Sequence, residues 1–233
     1  MAYSLFFQVW PWMGLGAAIV LILIAFLTDL FRVDLNIKRL RDPCWLAWIS
    51  VVCYMLHNVE EYGIDLFGVT MAFPKYMASF MGGNISELVY LSCNIGAIWI
   101  VAPILAYLSR KYKGIAPSFA IFMLVNAIVH IRAYFIMGYN PGLFTSIIIF
   151  LPVGLWNIHV CYGKVKISWA KCMPSFGISA FYTVVLFAVI QLGVHGMISD
   201  IAQGLILVVD NALCLYLWYV LGKKASKDLV QGD

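Results

Sequence analysis

Residues 88–109 read LVYLSCNIGAIWIVAPILAYLS, and residues 133–163 likewise contain no Asp, Glu, Lys or Arg. A helix of 20 such residues rises about 30 Å, the thickness of a bilayer's hydrocarbon core. The flanking sequence has the same character. Of 233 residues, 64% are hydrophobic and 11% charged, against about 45–50% and about 25% in soluble domains. These values predict an all-α polytopic membrane helix bundle forming a single integral membrane domain over 1–233. Seven transmembrane helices are expected, at 9–27, 44–63, 85–108, 115–137, 143–162, 173–197 and 201–221. Pro103 and Pro152 fall inside two of them, which membrane helices tolerate because neighbours re-satisfy the freed backbone groups.

Charge sets an orientation. Arg32, Lys38, Arg39 and Arg41 follow the first span, Arg110, Lys111 and Lys113 the third, Lys164, Lys166 and Lys171 the fifth, and Lys223, Lys224 and Lys227 the seventh. These 13 of 15 basic residues fall after alternate spans; Lys75 and Arg132 are the exceptions. The positive-inside rule then puts the N-terminus outside or lumenal and the C-terminus in the cytosol. The net charge of +4 is thus a topology signal, and nucleic acid is not an expected partner. Residues 1–27 lack the basic start and small-residue cleavage site of a signal peptide and read as a first span. The six cysteines show no C-x-x-C spacing and read as small apolar residues. Residues 67–83 read as an interfacial or re-entrant connector on the outer side.

Against this background, His57-Asn58-Val59-Glu60-Glu61 is expensive. An ionised carboxylate in an apolar interior costs several kcal/mol or more unless something offsets it. The second span enters from the cytosol, so the motif lies roughly 20–25 Å in, in the outer half. Glu87, Asn94, Asn126, His130, Gln191, His195, Gln203 and Asp210 come to the same half from other spans. His57 shares a helix face with Glu60 or Glu61, and Asn126 and His130 are also i, i+4. Convergence of polar stripes at one depth predicts a single buried site.

Some of these residues have simpler roles. Asn84-Ile85-Ser86-Glu87 fits a capping box, with Asn84 at the N-cap and Glu87 at N3. The sequon Asn84-Ile85-Ser86 stands too close to the membrane for a glycan. One of Glu60 and Glu61 can simply face water, His159 and His195 can sit at interfaces, and Arg132 can snorkel outward. Asp210, near the midplane, has no such explanation.

The motif His57-Asn58-Val59-Glu60-Glu61 resembles the signature of the HXXEE integral-membrane family. Asn126-Ala127-Ile128-Val129-His130 resembles its N-x-x-x-H element, and Tyr139-Asn140-Pro141-Gly142-Leu143-Phe144-Thr145 its Y-x-P-G turn. The resemblance covers about residues 45–160 and implies a small helical membrane bundle with site residues in these motifs, without a reaction. A second resemblance, of size and span number, is to fungal membrane-bound terpene cyclases, which carry acidic residues on the second and seventh spans. Glu60 or Glu61 and Asp210 occupy analogous spans here, although the local sequence does not match.

These features point to an acid–base enzyme acting on a hydrophobic isoprenoid or lipid substrate drawn from the bilayer, a cyclase or isomerase that protonates an epoxide or alkene. Glu60 or Glu61 serves as the acid, His57 and Glu87 tune or relay its proton, and Asp210 is a second acid or base. Asn126, His130, Tyr90, Asn94, Tyr139 and Trp156 line the substrate site, and aromatic faces including Tyr54 and Tyr62 stabilise developing positive charge. No cofactor is expected. The alternative is a zinc or di-iron enzyme with His57, Glu61, Glu87 and His130 as ligands, for which the ligand count is short. A proton-coupled carrier is the third reading, without the inverted repeats common in carriers. The expected location is the endoplasmic-reticulum membrane in a eukaryote or the plasma membrane in a bacterium.

Overall fold

The computed structural model describes residues 3–164 and 167–230, without the side chains of 163, 164 and 228–230. Lys166 and the Lys164 side chain, part of the expected orientation signal, therefore lie outside the described residues. Eight helices follow in order: α1 (Leu5–Leu27), α2 (Pro43–Asn58), α3 (Ala72–Met81), α4 (Glu87–Leu108), α5 (Pro117–Met137), α6 (Leu143–Tyr162), α7 (Cys172–Val194) and α8 (Asp200–Val230). Six of them, α1 and α4 to α8, contain segments long and apolar enough to cross a membrane. The chain is a polytopic helical bundle of the kind an integral membrane protein has.

The expected second span differs from the other six. Thirteen of the 16 residues of α2 are buried, and the helix packs against α1, α4, α5 and α6. A helix sheathed by other helices needs no lipid-facing apolar surface, so it can carry polar residues that the outer helices cannot. Its start is fixed by Asp42, whose Oδ1 accepts from the amides of Cys44 (2.9 Å) and Trp45 (3.3 Å) while Oδ2 accepts from that of Val33 (3.0 Å). Pro43 opens the first turn, where its missing N–H is not needed.

Widened π turns mark three of the helices. One, Ile95–Val101, precedes Pro103 in α4, and another, Ser146–Phe150, precedes Pro152 in α6. Proline removes an N–H donor and crowds the carbonyl four residues back, and the wider turn re-pairs the freed groups. A third, Val59–Gly63, prolongs α2. Glu60 and Glu61, consecutive on this turn, leave the helix towards different neighbours.

The connector between α2 and α4 contains the short helix α3. It opens at Met71, held at φ 52°, and closes at Gly82, at φ 78°. Its buried face, Pro74, Met77 and Met81, packs against the π turn at 59–63 and against α7. All six cysteines are free thiols, five of them buried.

The capping reading of Glu87 is corrected here. Ser86, not Asn84, is the N-cap of α4, its hydroxyl accepting from the Leu88 amide at 3.3 Å. Glu87 turns away to α1 and accepts from both the Ser4 amide (2.7 Å) and the Ser4 hydroxyl (2.6 Å). A carboxylate set against a helix start compensates the amides left free there. Glu87 therefore docks one helix end on another and takes no part in the site. Glu87→Ala is expected to lower stability by about 1 kcal/mol, the modest value of a partly exposed charged hydrogen bond. Thermal unfolding in detergent measures it, and a change in the behaviour of the site would contradict this assignment.

Candidate functional site

The two carboxylates of the motif have separate surroundings. Glu60 accepts from the Tyr139 hydroxyl (3.1 Å), the Phe144 amide (3.1 Å), the Thr145 amide (2.7 Å) and the Thr145 hydroxyl (2.6 Å). It caps the start of α6 from a position more than 80 residues earlier in the chain. The Tyr139 hydroxyl also accepts from the Leu66 amide at 3.3 Å. Burial pushes the Tyr139 phenol well above its usual range, so it remains a donor. Tyr139 and Glu60 thus clamp two loops together. Neither lines the cavity described below, so the expectations of Glu60 as an acid and of Tyr139 as a substrate contact are corrected.

Glu61 instead stands between two imidazoles. Its Oε1 lies 3.5 Å from His57 Nε2 and 3.4 Å from His130 Nε2. All three residues are buried, His57 completely. The hydrogen bonds on the far side of each ring fix its tautomer. His57 Nδ1 is 2.7 Å from the Thr145 hydroxyl, whose own hydrogen points to Glu60 Oε2 or the Gly142 carbonyl, both of which only accept. The hydroxyl can therefore only accept from His57, which places the hydrogen on Nδ1. His130 Nδ1 is 2.5 Å from Asn140 Oδ1, and the Asn140 amide nitrogen donates to the His130 carbonyl at 3.0 Å. Reversing that amide would oppose two acceptors, so Nδ1 carries the hydrogen here too. Both Nε2 lone pairs thus face Glu61.

Gly142 holds this arrangement in place. It sits at φ +95°, in the left-handed region that favours glycine. A Cβ there would lie 2.6 Å from His130 Cε1 and 2.7 Å from His57 Cε1. The turn at 139–142 is therefore the floor on which both rings rest. Its proline–glycine pair was visible in the sequence, but its contact with the two histidines was not.

A cavity of about 490 Å³ opens above the cluster. Glu61 and His130 line it, with Tyr54 and Tyr62 from the α2 region, Phe73, Tyr76 and Phe80 from α3, Tyr90 and Asn94 from α4, Asn126 from α5 and Tyr182 from α7. Asn94 donates to the Tyr62 hydroxyl (3.0 Å) and the Tyr90 carbonyl (2.9 Å), and Asn126 donates to the Tyr54 hydroxyl. The buried Tyr90 hydroxyl has no partner among the described residues. Three lining residues, Phe80, Ile136 and Val184, are themselves 40%, 61% and 66% exposed. They mark a mouth between α3, α5 and α7, where the exposed Arg132 also joins the lining.

The structure separates other candidates from this site. Asp210 on α8 is buried and within electrostatic reach of Cys93 and Tyr182, which line the cavity, but has no face there itself. Its only hydrogen-bond contact among the described residues is a weak one from Cys214 at 3.8 Å, and its Oδ2 is unpaired. Trp156 lies on the exposed side of α6 and donates to the Leu40 carbonyl in the α1–α2 linker (2.7 Å). Gln191 bonds Met81, Gln203 bonds Asp200, and His195 is exposed at the end of α7. Depth along the bundle normal does not specify direction around it, which is why residues at one level need not meet. The sequence reading also missed α3 as a cavity wall. Asn58, which is buried with neither side-chain polar atom paired, has no physical account in the structure.

These side chains and the turn beneath them occupy one continuous part of the chain. Residues 48–157 match the family model described as a protein of unknown function with HXXEE motif. His57, Glu61, His130, Asn140, Gly142 and Thr145 all fall inside this HXXEE segment, while α7 lends the cavity a wall from outside it. No curated protein and no solved structure matches the chain. The likeness to fungal terpene cyclases therefore finds no support in the comparisons, and Asp210 does not share with Glu61 a face on the cavity.

Proposed function

We propose that the protein is a membrane-embedded enzyme whose substrate is a hydrophobic molecule of isoprenoid or lipid type, with Glu61, His57 and His130 as its reacting end. The observation that carries this reading is a largely apolar cavity, rich in aromatic rings and open between helices, whose carboxylate is held between two oriented imidazoles. A volume of about 490 Å³ falls within the roughly 300–1,000 Å³ of small-molecule sites. An opening between helices, lined largely by apolar side chains, suits a molecule that enters from the bilayer. The unpartnered Tyr90 hydroxyl and the Asn126–Tyr54 pair offer hydrogen bonds to a substrate oxygen, and the faces of Tyr54, Tyr62 and Tyr90 suit a developing positive charge.

Three electron-rich atoms meeting in a dry site need a proton or a cation among them. Either makes the cluster a centre for acid–base or electrophilic chemistry on the polar end of the substrate. Cyclisation between two opposed acids is not part of the proposal, because only one carboxylate faces the cavity.

Photolabelling tests the substrate class. A diazirine-bearing farnesol analogue added to detergent-solubilised protein is expected to label residues of α3, α5 and α7 that line the cavity. Ala133→Trp, which fills the cavity, is expected to abolish that labelling. Labelling confined to the outer helix surfaces, or unchanged by the tryptophan, would remove the basis for this function.

A further inference from the structure

We propose that His57, Glu61 and His130 bind one zinc or ferrous ion through Nε2, Oε1 and Nε2, with a further coordination position open to the cavity. The proposal deepens the reading of this cluster as the reacting end of the cavity and rests on it for its catalytic consequence, though not for its geometry. These residues are the only group of three or more metal-ligating side chains drawn together in this way among the described residues, their donor atoms all lying within 4.8 Å of one another.

Distance separates an ion from a shared proton. An imidazolium N–H bonded to a carboxylate brings nitrogen and oxygen to about 2.7–2.9 Å. The observed separations are 3.4 and 3.5 Å, beyond ordinary N–H···O bonding. Ligands at about 2.0–2.2 Å from a tetrahedral ion stand about 3.3–3.6 Å from one another. Both carboxylate–imidazole separations therefore fit neighbouring ligands of one ion better than a hydrogen-bonded relay, and the third donor pair lies within 4.8 Å.

The tautomers point the same way. A ligating histidine donates its other ring N–H to an oxygen acceptor, which fixes the ring and makes the free nitrogen more basic. His57 does so to Thr145, which is itself bonded to Glu60, and His130 does so to Asn140. His57 Nε2 is buried and has no hydrogen-bond partner among the described residues, which leaves its lone pair free to ligate. The donor set narrows the metal. Magnesium and calcium favour oxygen ligands, in numbers this site lacks, and monovalent copper favours sulfur. Two imidazoles and one carboxylate suit zinc with a bound water or ferrous iron with open positions.

Metal analysis of the full-length protein, purified in mild detergent without chelator, tests the site directly. The expected result is about one zinc or iron per chain. Stripping with a chelator is expected to lower the thermal midpoint, and adding zinc or ferrous ion to restore it, which needs no variant to fold. Thr145→Val, which takes the acceptor from His57, is expected to weaken zinc binding about 10–100-fold, and Glu61→Gln to weaken it at least as much. A protein that is metal-free as purified and takes up neither zinc, ferrous ion nor cobalt would overturn the proposal. So would zinc affinity unchanged in a folded His57→Gln/His130→Gln double variant. Metal retained without farnesol-probe labelling counts against the substrate class alone, whereas labelling of a protein that takes up no metal counts against the metal alone.

Discussion

Glu60→Ala is expected to be among the most destabilising single changes in the chain, by about 3–5 kcal/mol, the range for removing one partner from a buried charged network. Four donors end on this carboxylate, two of them backbone amides at the start of α6 and one the Thr145 hydroxyl that accepts from His57. With Glu60 gone, both amides and the Tyr139 hydroxyl lose their acceptor, the Thr145 hydroxyl keeps only the Gly142 carbonyl at 3.3 Å, and each buried loss costs about 1–3 kcal/mol. Glu60→Gln keeps one acceptor oxygen but turns an NH₂ group towards donors, so it should lose less. Tyr139→Phe, which removes a single donor, should cost about 1 kcal/mol. Denaturant unfolding of the three variants in one detergent gives the series. An alanine variant within 1 kcal/mol of the wild type would show that the clamp does not hold the fold.

Gly142→Ala should abolish the site through two separate effects. The residue stands at φ +95°, a conformation that costs a side-chain-bearing residue about 1–3 kcal/mol. In addition, its Cβ would enter both imidazole rings, at 2.6 and 2.7 Å, and the rings must move apart or the turn must lift. The expected outcome is a loss of about 2–4 kcal/mol in stability, from strain plus crowding, together with loss of metal and turnover. Gly138 provides the control, because it has φ +81° but open space around its Cβ position. Gly138→Ala should lose stability from strain alone and keep its metal. Equal effects of the two substitutions on metal content would contradict the close approach at Gly142.

Much of the bundle was legible in the sequence because a membrane span has a simple requirement, about 20 residues without uncompensated charge. Six helices meet it. Of the seven expected spans the one that does not, α2, is also the one that carries the motif, and both facts have the same cause: its sheath of neighbouring helices removes the apolar requirement and shelters the polar groups. Within the site, the i, i+4 pairing of His57 with Glu61 was readable from helical spacing. The convergence of His130 on the motif was expected from depth, whereas the placing of Glu61 between the two rings depends on how α2 and α5 are rotated about their own axes.

The misplaced residues follow the same logic. Glu87 has a persuasive local role, but its partner is Ser4, 83 residues away. Asp210 faces the bundle interior, but Cys93 and Tyr182, and not its own carboxyl, line the cavity on that side. Trp156 has its partner in the α1–α2 linker, and Tyr139 spends its hydroxyl on Glu60. The wall formed by α3 escaped notice because ten residues rich in Met and Phe resemble an interfacial connector until the cavity beneath them is seen.

The central claim is that Glu61, held between His57 and His130, transforms a hydrophobic molecule in the cavity. The most direct measurement compares lipid extracts of one host producing either the wild-type protein or Glu61→Gln, at matched levels of folded protein, by untargeted mass spectrometry. The predicted result is a hydrophobic product present only with the wild type and a precursor that accumulates with the variant. Extracts that are indistinguishable between the two, in a host whose wild-type protein holds its metal and takes the farnesol probe, would contradict it.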